Sequence, residues 1–205
     1  MTGFIDKVYF KELAEQNPED VCQRAECSYD AQDRSYLLSV WGDQYRIFPH
    51  ELKIKCMGGK IKSFDDYFHL IAVHYLLNSK EIKASNEWIS EKEIPGGTTF
   101  FRGPHEIPTR LISNLFKNDI NGFKLRCEEL NGTFLDMADA AYRFEITSRI
   151  PVAVLYWEGD DEFPAESKIL YDKSITDFLA SDIVYALGVG ICEKLGDSPL
   201  TAPEN

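Results

Sequence analysis

Four carboxylates crowd one short stretch of the chain, Glu158-Gly159-Asp160-Asp161-Glu162, which is followed by Phe163-Pro164. Oxygen-rich loops hold magnesium or calcium, so Glu158, Asp160, Asp161 and Glu162 are the candidate metal ligands. Their spacing lacks the alternation of a calcium loop, and adjacent side chains do not all converge on one point. The competing reading is a solvated turn whose Phe163 ring tucks back into the core.

A second concentration is Phe100-Phe101-Arg102-Gly103-Pro104-His105-Glu106, where aromatics, a guanidinium and an imidazole share one loop as in a lid or a binding rim. Arg102, His105, Phe100 and Phe101 are therefore candidate ligand-binding residues, with core anchoring as the alternative for the two phenylalanines. Trp157 joins them because it ends the strand that feeds the acidic loop. If the expected strands 88–94 and 152–157 are neighbours with their ends together, Arg102 and His105 face Asp160, Asp161 and Glu162 across an aromatic wall. That is the composition of a small-molecule cleft.

Other patterns carry less. Pro95-Gly96-Gly97-Thr98-Thr99 has the consecutive glycines of an anion-binding nest but neither a Lys-Thr ending nor an immediate helix, so a turn is expected. His69 and His74 are five apart, about 140° round a helix, and do not share a metal from one helix. Gly188-Val189-Gly190 lies in an apolar helical stretch with no strand and turn before it, which suits close helix packing rather than a dinucleotide. The five cysteines, Cys22, Cys27, Cys56, Cys127 and Cys192, are odd in number and scattered, and no Cys-x-x-Cys, His-Glu-x-x-His or Gly-x-Ser-x-Gly pattern occurs.

The elements that must position these residues follow from periodicity and caps. Residues 4–16 have helical spacing, and Asn17-Pro18-Glu19-Asp20 opens a second helix. Residues 36–41 and 44–48 flank Gly42-Asp43, a glycine-first hairpin connection; residues 52–56 add a third strand, closed by a Gly58-Gly59 turn. The lysines of Lys53-Ile54-Lys55 and Lys60-Ile61-Lys62 fall on the wet side of strands. Ser63 and Asp66 form a capping box for a helix that is apolar almost all round, hence buried between layers. Residues 88–94 read as a strand, 108–117 and 120–130 as helices, the second stopped at Asn131-Gly132. Tyr142, Phe144 and Ile146 alternate with Arg143 and Glu145. The almost wholly apolar 152–157 is a central strand. A short strand at 168–171 precedes two terminal helices capped by Ser174 and Ser181. The expectation is one α+β domain over residues 1–205, with a disordered tail at 201–205 and a mainly antiparallel sheet of about six or seven strands covered by helices; the alternative is two sheets, one from each half of the chain.

The chain has 205 residues, 34 acidic against 22 basic, for a net charge of −12. Its average surface repels phosphate backbones and anionic lipids, so neither nucleic acid nor membrane is an expected partner. The longest apolar run, ten residues at 183–192, falls short of the ~20 that span a bilayer. Asp6 interrupts the place where a secretion signal's apolar core would begin, and cytoplasmic location with reduced thiols is the expectation.

Taken in order, the hairpin Trp41-Gly42-Asp43-Gln44-Tyr45, the run Trp88-Ile89-Ser90-Glu91-Lys92-Glu93-Ile94-Pro95-Gly96-Gly97 and Trp157-Glu158-Gly159-Asp160-Asp161-Glu162-Phe163-Pro164-Ala165 resemble a family of anaerobic bacteria and archaea catalogued only as domain of unknown function 3786. The likeness covers most of the chain. It implies companionship with corrinoid and iron–sulfur proteins and supplies no catalytic residue. Some members are fused to a cysteine-rich cluster module, of which this chain has no counterpart. Two functional classes follow: a non-catalytic binding or accessory protein for a small molecule or protein partner, and a metal-dependent or small-molecule enzyme using the acidic loop 158–162. The first is favoured, because no titratable groups stand at diagnostic catalytic spacing.

Overall fold

Local capping rules shape the start of the chain, at Asn17 as expected and at Asp6, which cuts the expected 4–16 helix to start at Lys7. The structure is a computed structural model, which describes residues 5–58 and 65–197. Helix α1 (Lys7–Glu15) opens on Asp6, whose carboxylate accepts from the Val8 amide at 3.0 Å. Helix α2 (Pro18–Ala25) opens on Asn17, which accepts from the Glu19 amide at 2.9 Å, with Pro18 in the first turn where no amide hydrogen is needed. Four antiparallel strands follow in sequence order, β1 (Ser28–Asp30), β2 (Ser35–Val40), β3 (Asp43–Phe48) and β4 (Lys53–Cys56).

The β2–β3 turn differs from expectation. Val40 pairs with Asp43, and the two residues between them, Trp41 and Gly42, both have positive φ, 45° and 81°. This matches the turn whose twist suits a hairpin with two left-handed residues rather than one glycine-first residue. A tryptophan tolerates that backbone because it is held from several sides. Its amide donates to the Ile146 carbonyl at 2.7 Å and its indole Nε1 to the Leu130 carbonyl at 3.1 Å. The Lys194 ammonium lies 4.9 Å from the ring centroid.

Helix α3 (Asp65–Asn78) is buried on nearly every side, as its all-round apolar sequence predicts. Strand β5 is only Trp88–Ile89. The expected strand ends there because Glu93 accepts from both the amide and the hydroxyl of Ser90 at 2.8 Å, a capping box that winds Glu91–Glu93 into a 3-10 turn. The Pro95–Thr99 region, expected to be a turn without a helix, instead leads into a single helical turn, α4 (Gly97–Phe100). Helices α5 (Arg110–Phe116) and α6 (Ile120–Glu129) come next, then β6 (Thr133–Leu135), β7 (Ala140–Thr147), β8 (Ile150–Trp157) and β9 (Glu166–Asp172). After β9, Lys173–Asp177 is a 3-10 turn capped by Asp172 rather than a helix capped by Ser174. Helix α7 (Ser181–Gly196) has Ala180, not Ser181, at its cap position.

The architecture is α+β with antiparallel strands covered by helices, and among the described residues the strands fall into two sheets. The second sheet has the order β5-β9-β8-β7-β6, antiparallel throughout, so β8 is central as its apolar run requires. A continuous core joins both sheets through Leu38, Ile47, Phe68, Phe144, Val154 and Leu187. Gly188 and Gly190 serve packing: a β-carbon on Gly188 would stand 2.7 Å from the Tyr171 hydroxyl, and one on Gly190 3.0 Å from Tyr67 of α3. No helix among the described residues is long and apolar enough to cross a membrane. Gly59 of the expected Gly58-Gly59 turn, the lysines at 60 and 62, the Ser63 cap and the 201–205 tail lie outside the described residues.

Candidate functional site

The acidic loop is shaped by its own backbone. Its entry is fixed by the Glu158 amide, which donates to Asp139 at 3.0 Å, and by Gly159, where a β-carbon would stand 2.6 Å from the Ala165 nitrogen. Asp160 then accepts from the amides of Glu162 at 2.8 Å and Phe163 at 2.7 Å, while its own amide donates to the Phe163 carbonyl at 2.8 Å. The Phe163 and Glu162 amides hold the Asp160 carboxyl below its usual range. Of the four candidate metal ligands, Asp160 is thus engaged by its own turn, while Glu158, Asp161 and Glu162 are exposed around it. Among the described residues no group of three or more His, Cys, Asp or Glu side chains is arranged to hold a metal ion. The same turn corrects the expectation for Phe163: its ring points outward and is 67% exposed.

The loop after β5 is anchored from the opposite side by α7. Phe101 is a core residue, 3% exposed. Phe100 stacks on His105 with centroids 4.6 Å apart and planes 9° from parallel, and His105 meets Tyr185 of α7 edge-on at 5.4 Å. The Tyr185 hydroxyl donates to the Pro104 carbonyl at 3.1 Å. Arg102 is exposed and, with Phe101, Lys92, Thr98, Gly103 and Glu106, lines a depression of about 270 Å³.

The strand pairing assumed for the two loops does not occur. Strand β5 pairs with β9, which separates it from β8, and Ile89 is level through Tyr171 with Val152, at the far end of β8 from Trp157. Trp157 is also on the wrong side. Side chains alternate along a strand, so Val154 and Tyr156 enter the main core while Trp157 packs with Ala153, Leu155, Trp88, Leu135 and Leu170 in a separate cluster.

The two loops nevertheless meet, through residues farther along the chain. A cleft of about 670 Å³ lies between Phe163–Ser167 on one side and Gly103, Glu106 and the start of α5 on the other. Its lining is mixed: Ile107, Pro108, Leu111, Phe163 and Pro164 are apolar, and Glu106, Arg110, Asn114 and Glu166, with Thr109, Ser113 and Ser167, are polar. The Ser167 hydroxyl donates to the Thr109 carbonyl at 2.7 Å and fixes β9 to the entry of α5. Ile107 is backed by α7, since a β-carbon on Gly188 would stand 2.9 Å from it. Behind it the Tyr171 hydroxyl is wholly buried without a hydrogen-bond partner, and burial pushes its pKa well up, so it stays neutral. Of the residues singled out from sequence, none of Arg102, His105, Phe100, Phe101, Trp157, Glu158, Asp160, Asp161 or Glu162 lines this cleft, although Glu106 and Phe163 beside them do. Arg110 and Asn114 are not singled out by the sequence, in which residues 108–117 read only as a helix. The signal that could have found them is the exposed leucine in their midst, Leu111.

A volume of about 670 Å³ falls within the range of small-molecule clefts. No curated protein and no solved structure matches the chain. Residues 17–194, which carry every element from β1 to β9 and the whole cleft, match the family described as Domain of unknown function (DUF3786), and the chain belongs to that family.

Proposed function

We propose that this protein is a non-catalytic binding or accessory protein whose small-molecule ligand sits between Phe163 and the first turns of α5. The observation that carries the reading is the cleft shared by the two loops, with Leu111 and Phe163 presenting exposed apolar surface to the same space as Glu106, Arg110 and Glu166. Two carboxylates against one guanidinium favour a neutral or singly cationic ligand carrying hydrogen-bond donors and a flat apolar face. A link to corrinoid and iron–sulfur metabolism, as the family resemblance implies, belongs to the same proposal as the setting in which the ligand or partner is met.

A library of small aromatic amines and amides, screened by ligand-observed NMR, tests the site. Binders are expected, and Phe163→Ala should weaken them about tenfold through loss of ~1.4 kcal/mol of apolar contact. Glu166→Gln should select against the cationic members alone. Binders indifferent to both substitutions would rule out this cleft. Titration with hydroxocobalamin, and the absorbance of whatever copurifies from an anaerobic host, address the metabolic setting separately.

A further inference from the structure

Two cysteines that look scattered in the sequence are brought together by the end of a helix. Helix α2 stops at Ala25, and Glu26 takes the left-handed conformation at φ 51° and ψ 49°. The amides of Glu26 and Cys27 then both donate to the Cys22 carbonyl, the latter at 3.2 Å. Such a closure stacks the side chain of the residue past the cap on the one a turn earlier, a position normally filled by two apolar groups. Here both are cysteines, and their sulfurs are 3.9 Å apart.

We propose that Cys22 and Cys27 form a reversible dithiol–disulfide site that exchanges with small-molecule disulfides. A disulfide bridges α-carbons about 4.4–6.8 Å apart; the backbone hydrogen bond holds the two residues side by side, and with the sulfurs already 3.9 Å apart, side-chain rotation is what bond formation asks for. Both side chains are half-buried and reachable, whereas Cys127 and Cys192 are buried. No third ligand completes a metal-holding group among the described residues, which suits a bond between the two sulfurs rather than a closed tetrahedral site.

The roles of the two thiols differ. The Cys27 thiol donates to the Cys22 sulfur, which eases ionisation of Cys22 against the burial that raises it; burial pushes Cys27 up much further. Cys22 loses its proton to solvent and attacks one sulfur of the small disulfide, forming a mixed disulfide and releasing one thiolate, which takes up a proton. Cys27 then loses its proton and attacks the Cys22 sulfur, expelling the second thiolate, which is protonated in turn. Two protein thiols are oxidised to one disulfide and one small disulfide is reduced to two thiols.

The test incubates the folded full chain with excess oxidised glutathione and follows intact mass and peptide mapping. The expected product has lost about two mass units, links Cys22 to Cys27 and carries no adduct at either. Its rate should rise about tenfold per pH unit near neutrality, as the thiolate fraction does. Cys27→Ser should trap glutathione on Cys22, while Cys22→Ser should leave Cys27 unmodified over the same interval. A folded wild-type chain that stays reduced, or that holds a lasting adduct on either cysteine, would overturn the proposal. So would a Cys22–Cys27 bond that forms only after unfolding in urea.

Discussion

Two aspartates bracket β9 and use the same chemistry to different ends. Asp160, before the strand, accepts two amides from its own loop and is exposed to water. Asp172, the last residue of the strand, is 2% exposed. One of its oxygens accepts from the amide and hydroxyl of Ser85, both at 2.9 Å, and from the amide and hydroxyl of Ser174 at 3.0 and 2.6 Å. The other accepts from the Asn86 amide at 2.7 Å. A carboxylate that caps only its neighbours shapes a loop. One that gathers donors from segments 86 and 87 residues away holds the approach to β5 against the end of β9.

The largest effect expected of this contrast is Asp172→Ala, at about 3 kcal/mol in urea unfolding, because the buried amide and hydroxyl of Ser174 and the part-buried donors of Ser85 and Asn86 lose their acceptor together. A loss under about 1 kcal/mol would put the two aspartates in one class and end the distinction.

Next comes the acid response. Burial alone would raise the Asp172 carboxyl, but the hydroxyls and amides of Ser174 and Ser85 outweigh it and the net direction is down. Its contribution is therefore complete above the unfolded-state value of about 3.9 and fades as pH falls through the lower folded-state value. Asp172→Asn should be less stable than wild type at neutral pH, and its unfolding midpoint should fall less steeply below pH ~4. Parallel curves would show that the carboxylate does not gain from its donors.

The smallest effect belongs to Asp160→Asn. The amide oxygen still accepts from the loop, so the thermal midpoint should stay in place while hydrogen exchange at the Glu162 and Phe163 amides quickens. A midpoint that drops with Asp172→Asn would make the acidic loop part of the framework.

Much of the fold was legible where a side chain acts on adjacent backbone. Asn17-Pro18 opened a helix, and the β8 run became the central strand. Asn131, at φ 60°, stopped α6, with the Gly132 amide closing on the Cys127 carbonyl at 2.8 Å. Strands β1 and β6 were not read, since three polar-flanked residues carry no period. The truncation of β5 was legible in principle, because Ser90-Glu91-Lys92-Glu93 is a capping box, but its apolar flanks favour a strand. The site was legible as a pair of loops and not as residues. Clustered charge drew attention to Asp160–Glu162, which are turned into solvent or used by their own turn, whereas the cleft depends on how α5 docks beside β9. Trp157 could have been placed from parity alone, once Val152 and Val154 were assigned to the core.

Trp41 sits at the tip of the first hairpin, yet its indole hydrogen bond reaches a carbonyl 89 residues away. That contact, and the amide's hydrogen bond to the Ile146 carbonyl, exist only once the second half of the chain is in place. The first sheet on its own would carry a tryptophan in an unfavourable backbone conformation with nothing to hold it there. The tip of the hairpin is therefore a joint between the two halves: β2 and β3 pair locally, but what holds their turn comes from Leu130, Ile146 and Lys194.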